Sequence, residues 1–442
     1  MKLNGYLAKS AGVAALGGLL FGFDTVVISG TTSALTATFN LSPKFLGVTV
    51  ASAILGTVFG AMLAGIPGER FGRRDSLRGL AILYLITALG CAVSWSWGSL
   101  VFFRVIGGLG IGGSSVLGPM YIAEIAPAKL RGRLVGLFQF NVVFGILLAY
   151  FSNYVISVQH FGTAEWRWEF GVTAVPALLF FIMLFTIPRS PRWLVKKGRI
   201  EEARTVLKLT GDEDYEHDLH EIVQSIESEQ RQADEKLLSR KYAFPIFLAV
   251  SIGLFNQLAG INAILYYLND IFAHAGFSKV SGNLQAVAIG ATNLLFTMLA
   301  MSVIDKIGRK TLLLIGSVGT AICLAGVAVI FFTNQHQSYL LWFLVGYIAF
   351  FAFSQGAVIW VYIAEVFPNN VRAKGQSLGS FTHWLMNGLI SLIFPVMAAS
   401  SGAYPFVFFS VMMVVQFFVV LFVYPETKGL TLEEMQKEMT AH

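Results

Sequence analysis

Twelve long apolar stretches restrict this sequence to one class of fold. Each is about 20 residues long or longer, the length that an α-helix needs to cross the hydrocarbon core of a bilayer. Only 13% of the residues are charged, whereas soluble domains contain about 25%. We therefore predict an all-α membrane protein with twelve spans, at about 9–32, 45–69, 77–96, 99–124, 133–158, 168–187, 243–273, 282–304, 311–332, 339–366, 374–398 and 403–424.

The basic residues orient these spans. Of the 31 Lys and Arg residues, only Lys44, Arg167 and Lys279 fall in loops on one side, and Arg104 lies within a span. Cytoplasmic loops carry an excess of Lys and Arg. We therefore expect a multi-pass protein of the cytoplasmic (plasma) membrane with both termini in the cytoplasm. The net charge of +6 is explained by this topology, so we expect the lipid bilayer and no nucleic acid as a partner.

Three motifs recur at offsets of 236, 241 and 237 residues: RFGRR at 70–74 as KIGRK at 306–310, EIAPAKLRGRL at 124–134 as EVFPNNVRAKG at 365–375, and PRSPRWL from Pro188 as PETKGL from Pro425. Six spans per half make this a parallel repeat, and such halves enclose a site near the bilayer midplane.

The repeat predicts four domains. These are an N-terminal six-helix half (1–187), a cytoplasmic helical linker (188–241), a C-terminal six-helix half (242–424) and a cytoplasmic tail helix (425–442). The linker has many charges and helical periodicity, which indicates a bundle of short surface helices. A disordered linker is the alternative.

One acid lies near the middle of the first span. Asp24 belongs to the apolar run 12–35, where a charged side chain costs roughly 2.5–3.5 kcal/mol on insertion scales. The glycine-rich fourth span carries Arg104, and an arginine inside a membrane requires a counter-charge. Asp24 is the only acid that we place deep in the first half. We therefore expect it to face an internal cavity and to interact with Arg104, directly or through water.

Basic and acidic residues meet at the repeated loops, where Gly72 and Gly308 permit tight turns. The basic residues could serve as a topology signal alone. The alternative is a network of cytoplasmic ion pairs that holds one conformation and breaks in another, since single surface pairs are weak. Acids at equivalent points of both halves favour this gate network, with the members Glu69, Arg73, Arg74, Glu124, Arg131, Asp305, Arg309, Lys310, Glu365 and Arg372.

Uncharged amides and aromatic rings occur in spans of both halves. Amides offer donors and acceptors that match the hydroxyl groups of a neutral polyol, and indole rings suit the C–H face of a sugar. Any one amide could instead join two helices, which contributes about 0.6 kcal/mol. Together they favour a sugar site formed by Gln139, Gln257, Asn262, Tyr266, Asn293, Gln355, Trp360, His383, Trp384 and Asn387.

These strings resemble the sugar porter family of the major facilitator superfamily over essentially the whole chain. The resemblance is carried by RFGRR, RGR (131–133), PRSPRWL, QLAGIN with YY (257–267), DKIGRK, EVFPNNVR and PETKG. It implies a major facilitator fold in which two halves give alternating access to a central monosaccharide site. It also implies sugar ligands at Gln139, Gln257, Asn262, Asn293, Trp360, Trp384 and Asn387, with Tyr266 and Phe21 lining the cavity.

The FGFD string of the first span is similar to that of the proton-coupled members of this family. Those members pair an acid at this position with the arginine of span four, whereas the facilitative glucose carriers have an amide there. The resemblance therefore implies that Asp24 and Arg104 are the proton-coupling residues.

Five positions depart from the pattern of the family or of some of its members. Asn256 stands in place of a glutamine, and Ile146 is shared with the glucose carriers. Ala357 replaces a proline of span ten, which affects how that span bends. His383 stands where an amide is usual, and Arg189 replaces the acid of the PESPR string, which changes the cytoplasmic ion pairs.

We conclude from the sequence that the chain is a proton-coupled symporter for a monosaccharide, most simply a hexose such as glucose. We expect a monomer without metal or cofactor. A facilitative sugar uniporter and a transporter-like sugar sensor are the alternatives. An enzyme would require a nucleophile–base pair or a metal cluster, and the seven histidines show no ligand spacing, so no enzymatic activity is expected.

Overall fold

The computed structural model describes residues 4–210, 215–231, 237–368 and 371–428, and all regular structure in these ranges is helical. The short helix predicted for the tail at 431–439 lies outside them. Within the described residues, twelve helices are long and apolar enough to cross a membrane, which confirms the predicted number. We call them spans one to twelve: Gly5–Phe39, Pro43–Leu63, Arg73–Ala92, Trp97–Ile125, Leu130–Val158, Gly162–Met183, Arg240–Tyr266, Lys279–Ile307, Arg309–Thr333, Gln337–Glu365, Arg372–Ser400 and Tyr404–Val423.

Where the structure describes the polar insertion, it contains three short α-helices, Pro191–Lys196, Ile200–Leu209 and Tyr215–Arg231. Pro191 occupies the first turn after Ser190, whose hydroxyl accepts a hydrogen bond from the backbone N–H of Trp193 at 3.2 Å. Both features are typical of a helix start. The helices share a small apolar core that includes Trp193, Val206 and Leu219. The described residues of this segment are therefore largely helical, while its role as a linker domain stays a prediction.

Packing groups the chain into two compact units. The first comprises Met1–Val27, Ser52–Ser152 and Ala164–Ala233, and the second comprises Ile28–Ala51, Asn153–Thr163 and Asp234–His442. Each unit has its own buried apolar core, with residues such as Tyr84 and Phe138 in the first and Tyr362 and Tyr424 in the second. The domain limits inferred from the repeat stay a prediction.

Glycines bring helix backbones of the first unit into contact. A Cβ atom at Gly18 or Gly22 of span one would overlap the backbone carbonyl of Phe138 or Val142 in span five. Gly108 and Gly112 of span four meet the backbone of span two in the same way. Small residues allow such close approach between membrane helices, so the glycine-rich strings of spans one and four are explained by packing.

Two spans of the second unit are broken. Span seven changes direction at Gly260, which has a φ of +83° in the left-handed region and separates the helices Ala243–Leu258 and Ile261–Tyr266. The hydroxyl of Tyr347 donates to the carbonyl of Ala259 beside the break at 2.8 Å. Such partners satisfy backbone groups that a break would leave unpaired within a membrane.

Span ten breaks at Ser354, which separates Leu340–Phe353 from Gln355–Glu365. The Ser354 hydroxyl donates to the carbonyl of Phe350 at 2.6 Å. The break therefore lies three residues before Ala357, and span ten is discontinuous without a proline at that position.

Candidate functional site

Asp24 and Arg104 lie next to each other inside the first unit. The Oδ2 atom of Asp24 is 3.9 Å from Nη1 of Arg104, and the two residues are 3% and 2% exposed. This distance exceeds that of a hydrogen bond, so the contact is an electrostatic one between two buried charges. The Arg104 guanidinium also lies 5.8 Å from the ring centre of Phe170 on span six. The structure thus places the two charges in direct contact, while their role in proton coupling stays a prediction.

Asp24 is not the only buried acid of this unit. Glu169 in the first piece of span six (Glu165–Gly171) is completely buried. Its position at the very start of the predicted segment 168–187 did not indicate this burial. The expectation that Asp24 is the only deeply placed acid of the first half is therefore wrong.

Amides of the second unit form a hydrogen-bonded network across the break in span seven. The carboxamide nitrogen of Asn262 donates to Oε1 of Gln257 at 3.1 Å, and Nε2 of Gln257 donates to Oδ1 of Asn256 at 3.2 Å. Asn256 in turn donates to the backbone carbonyl of Gln355 on span ten at 3.3 Å. We call these three amides, together with His383, which contacts Gln257, the amide network.

His383 of span eleven connects the amide network to two indole rings. Nε2 of Gln257 lies 3.2 Å from both ring nitrogens of His383. The imidazole centre is 5.0 Å from the ring of Trp360 and 5.2 Å from that of Trp384. Amides, an imidazole and indoles from spans seven, ten and eleven therefore meet at one place, while their binding of a sugar stays a prediction.

Asn387 and Tyr266 form a second polar contact in this unit. Nδ2 of Asn387 donates to the Tyr266 hydroxyl at 3.1 Å, and the hydroxyl of Ser391 donates to Oδ1 of Asn387 at 3.2 Å. Asn387 is completely buried. This contact links spans seven and eleven beyond Gly260.

The remaining predicted sugar ligands are Gln355, Asn293, Gln139 and Phe21. Nε2 of Gln355 points to the sulfur of Met413 at 3.2 Å, so this side chain is not part of the amide network. Asn293 on span eight is buried. Gln139 and Phe21 belong to the first unit, where both are partly buried, and Phe21 packs against its core.

Ion pairs of the predicted gate network occur in each unit. In the first, Nη2 of Arg73 is 2.9 Å from both Glu69 and Glu124, and the hydroxyl of Ser190 donates to Glu124 at 2.5 Å. Arg74 pairs with Asp75, at 3.0 Å, which the sequence analysis had not included.

The second unit repeats this arrangement. Nη2 of Arg309 is 2.9 Å from Asp305 and 2.7 Å from Glu365, and the Thr427 hydroxyl donates to Glu365 at 2.6 Å. Glu426 adds a feature that was not predicted, because its carboxylate accepts hydrogen bonds from the backbone N–H groups of Arg309 and Lys310 at 2.9 and 3.0 Å. The alignment of PRSPR with PETKG could have indicated both hydroxyl contacts.

Three predicted members of the gate network make no ion pair among the residues that the structure describes. Arg131 is exposed. Arg372 donates to the carbonyl of Phe367 at 3.3 Å rather than to an acid, and Lys310 contributes its backbone N–H. Their place in the gate stays a prediction.

Glu69 lies outside the spans, in the short helix Gly65–Phe71. Partial burial raises the pKa of its carboxyl, but the charges and hydrogen bonds of Arg73 and Lys196 outweigh this, so the pKa is lower than its ordinary value. Glu69 therefore stays ionised in the folded protein to a lower pH than in the unfolded chain.

One group with possible metal-ligating atoms was missed. The ligand atoms of His217, Asp218 and Glu221 on the helix Tyr215–Arg231 lie within 4.8 Å of one another. The i, i+4 spacing of His217 and Glu221 could have revealed them. The group lies on the exposed linker, and exposed acidic groups of this kind are common without a metal.

Comparison with known proteins gives a consistent result over the whole chain. Residues 11–439 match the family model described as sugar (and other) transporter. The chain is 37% identical to the D-xylose-proton symporter of Escherichia coli over 98% of its own length and 96% of that protein. It is 36% identical to the glucose transport protein of Synechocystis over 96% of each chain.

A solved structure shows the same fold. The inward open conformation of the xylose transporter XylE from E. coli matches with a TM-score of 0.88 and 36% identity, over 98% of this chain and all of the other. This likeness supports the predicted fold class.

Proposed function

Because the chain belongs to the sugar porter family of the major facilitator superfamily, we propose that it carries a monosaccharide together with a proton by alternating access. The observation that carries the proton coupling is the buried contact of 3.9 Å between Asp24 and Arg104. A charge within the membrane is costly without a partner or a function. The relatives include a protein named as a D-xylose-proton symporter, which supports the same proposal.

The pair provides a means of coupling protonation to conformation. While Asp24 is ionised, its charge balances that of Arg104. Protonation of Asp24 leaves the arginine as an uncompensated buried charge, and such a charge is strongly destabilising. The protonated protein therefore favours another arrangement of Arg104, and a ligand that prefers this arrangement shifts the population towards it. Breaking of the gate ion pairs would accompany opening towards the cytoplasm.

We propose a hexose such as glucose as the sugar. The amide network offers neutral donors and acceptors beside two indole rings, which suits a polyhydroxylated ring. Ile146 of span five, which the family's glucose carriers share, is buried and apolar. The names of the relatives include both xylose and glucose. Competition between these sugars for binding therefore decides between a pentose and a hexose.

The protein is proposed to act as a monomer of the cytoplasmic membrane with both termini inside. The charge asymmetry of its loops supports this orientation, since cytoplasmic loops are rich in Lys and Arg. Transport requires one set of twelve spans, and a single chain supplies it.

Uptake into proteoliposomes under an imposed proton gradient tests the proposal. We expect the wild type to accumulate glucose above its external concentration and Asp24→Asn to equilibrate it only. Asp270→Asn is the matched control, because Asp270 is an acid that receives a hydrogen bond of 2.9 Å from an uncharged partner, Thr32, and this variant should still accumulate sugar. Uphill accumulation by Asp24→Asn would refute the coupling.

The same preparation separates the alternatives. A uniporter would show glucose counterflow that no pH step changes. A sensor would bind sugar without counterflow. A panel of glucose, xylose and arabinose competing for binding identifies the preferred sugar, and preference for a pentose would refute the hexose while leaving symport intact.

A further inference from the structure

Three arginines of the first unit share a single carboxylate. The oxygens of Asp75 lie 2.7 Å from Nη1 of Arg78, 3.0 Å from Nη2 of Arg74 and 3.1 Å from Nε of Arg189. Among the residues that the structure describes, no other acid is paired with these three guanidinium groups. The arginine cluster, by which we mean Arg74, Asp75, Arg78 and Arg189, therefore has an excess of two positive charges.

The second unit carries the opposite charge at one equivalent position of the repeat. The hydroxyl of Tyr121 donates to the carbonyl of Pro188 at 2.8 Å, and the hydroxyl of Tyr362 donates to the carbonyl of Pro425 at 3.1 Å. Because these two contacts are equivalent, the residues that follow the prolines, Arg189 and Glu426, occupy equivalent positions in the two halves of the repeat.

At that place the second unit has Glu426, which accepts two backbone hydrogen bonds at the start of span nine. The first unit has Arg189, whose side chain turns to Asp75. The repeat thus carries a negative charge at this position in one half and a positive charge in the other.

The arginine cluster lies at the end of an apolar stripe. Exposed side chains recur on one face of span six at Val175, Leu178, Leu179 and Ile182, and the exposed Phe185 follows just beyond its end. The guanidinium of Arg78 lies 4.0 Å from the ring centre of Phe185, and its Nη2 donates to the carbonyl of Leu184 at 3.1 Å. An exposed apolar stripe on a membrane helix faces the acyl chains of lipids, so the cluster lies at the depth of their headgroups.

A second apolar stripe ends at the same place. Ile82, Ile86 and Leu89 are exposed on span three, which begins with Arg74, Asp75 and Arg78 in its first two turns. Both stripes can hold acyl chains below one set of guanidinium groups.

We propose that the arginine cluster binds the phosphodiester of an anionic phospholipid. Guanidinium groups donate pairs of hydrogen bonds in a geometry that matches phosphate oxygens. The two excess charges attract an anionic lipid, and the two stripes distinguish a lipid from a soluble phosphate. This site does not depend on the sugar or the proton, and it extends the proposed function.

Native mass spectrometry of the purified full-length protein tests the site with two probes, dioleoyl phosphatidylglycerol and dioleoyl phosphatidylcholine. We expect the wild type to retain phosphatidylglycerol preferentially. Arg189→Glu removes both excess charges, and each basic charge near a membrane surface strengthens anionic lipid binding about five-fold. Retention should therefore fall about 25-fold. Lys208→Glu makes the same charge change at an exposed position on the linker helix Ile200–Leu209, outside the spans, and should retain the lipid as the wild type does.

A smaller change keeps the test valid if Arg189→Glu does not fold. Arg189→Gln removes one charge and should weaken retention about five-fold. Equal retention of the two lipids by the wild type, or full retention of phosphatidylglycerol by either variant, would overturn the proposal. Displacement of the lipid by millimolar inorganic phosphate would overturn the lipid as ligand and assign the cluster to soluble phosphates.

Discussion

The carboxamide nitrogen of Gln257 lies 3.2 Å from both ring nitrogens of His383. Gln257 is held on its other side by Asn262 at 3.1 Å. One glutamine thus connects the two pieces of span seven to span eleven. Its side chain is both a potential sugar ligand and the centre of the amide network.

Removal of this amide should weaken sugar binding. A hydrogen bond contributes about 0.5–1.5 kcal/mol, and Gln257→Ala removes a side chain with several of them, so we expect glucose affinity to fall at least about ten-fold in equilibrium competition binding. Gln416→Ala is the control, since Gln416 is an equally buried amide on span twelve outside the amide network. Wild-type affinity in Gln257→Ala would refute the placement of the sugar.

Replacement of the imidazole should change which sugar is preferred. A glutamine amide offers two N–H donors and a carbonyl oxygen, whereas a neutral imidazole offers one donor and one acceptor nitrogen. One gained or lost hydrogen bond corresponds to about a five-fold change, so we expect His383→Gln to change the glucose-to-xylose affinity ratio by about that factor. The exposed His274 provides the control His274→Gln. An unchanged ratio in His383→Gln would show that the ring does not contact the sugar.

The break in span seven should depend on Gly260. A side chain in the left-handed region costs roughly 1–2 kcal/mol, and a Cβ at Gly260 would also overlap the ring of Phe409. Gly276 has a similar φ of +89° but open space around it. Thermal unfolding in detergent should show a clearly larger fall in Tm for Gly260→Ala than for Gly276→Ala. Equal falls would mean that the contact with Phe409 is unimportant.

Glu69 should make stability depend on pH in the acid range. Its pKa is lower in the folded protein than the ordinary value of 4.5, so its contribution is present above that value and is lost as the pH falls through the folded pKa. The Tm of the wild type should therefore fall more between pH 6 and pH 4 than that of Glu69→Gln. Glu201→Gln, at an exposed site on the linker, should follow the wild type. Parallel pH profiles for Glu69→Gln and the wild type would contradict the prediction.

The spans and the repeat were predictable because they depend on length, hydropathy and charge. About 20 apolar residues per span are sufficient to locate each helix. The contact of Asp24 with Arg104 follows from the cost of isolated charges in a membrane, and the ion pairs of Arg73 and Arg309 follow from the repeated acids.

Other features depend on packing that no short pattern records. No proline marks the break at Ser354 in the sequence. The side chain of Gln355 contacts the sulfur of Met413 because span twelve, which carries Met413, lies against it. Span six begins at Gly162, six residues before the predicted limit at 168, so Glu169 lies inside the span rather than at its edge. The pairing of Arg189 with Asp75 required the three-dimensional position of a loop.

Because Gly260 has no Cβ, its left-handed conformation places the break in span seven at little cost in backbone strain. Gln257 lies before the break and Asn262 after it, and the hydrogen bond between them crosses it at 3.1 Å. A ligand that donates to the Gln257 oxygen competes with Asn262 for the same acceptor. A sugar bound at Gln257 would therefore replace the side-chain hydrogen bond that joins the two pieces of span seven, so its recognition would act directly on the break at Gly260.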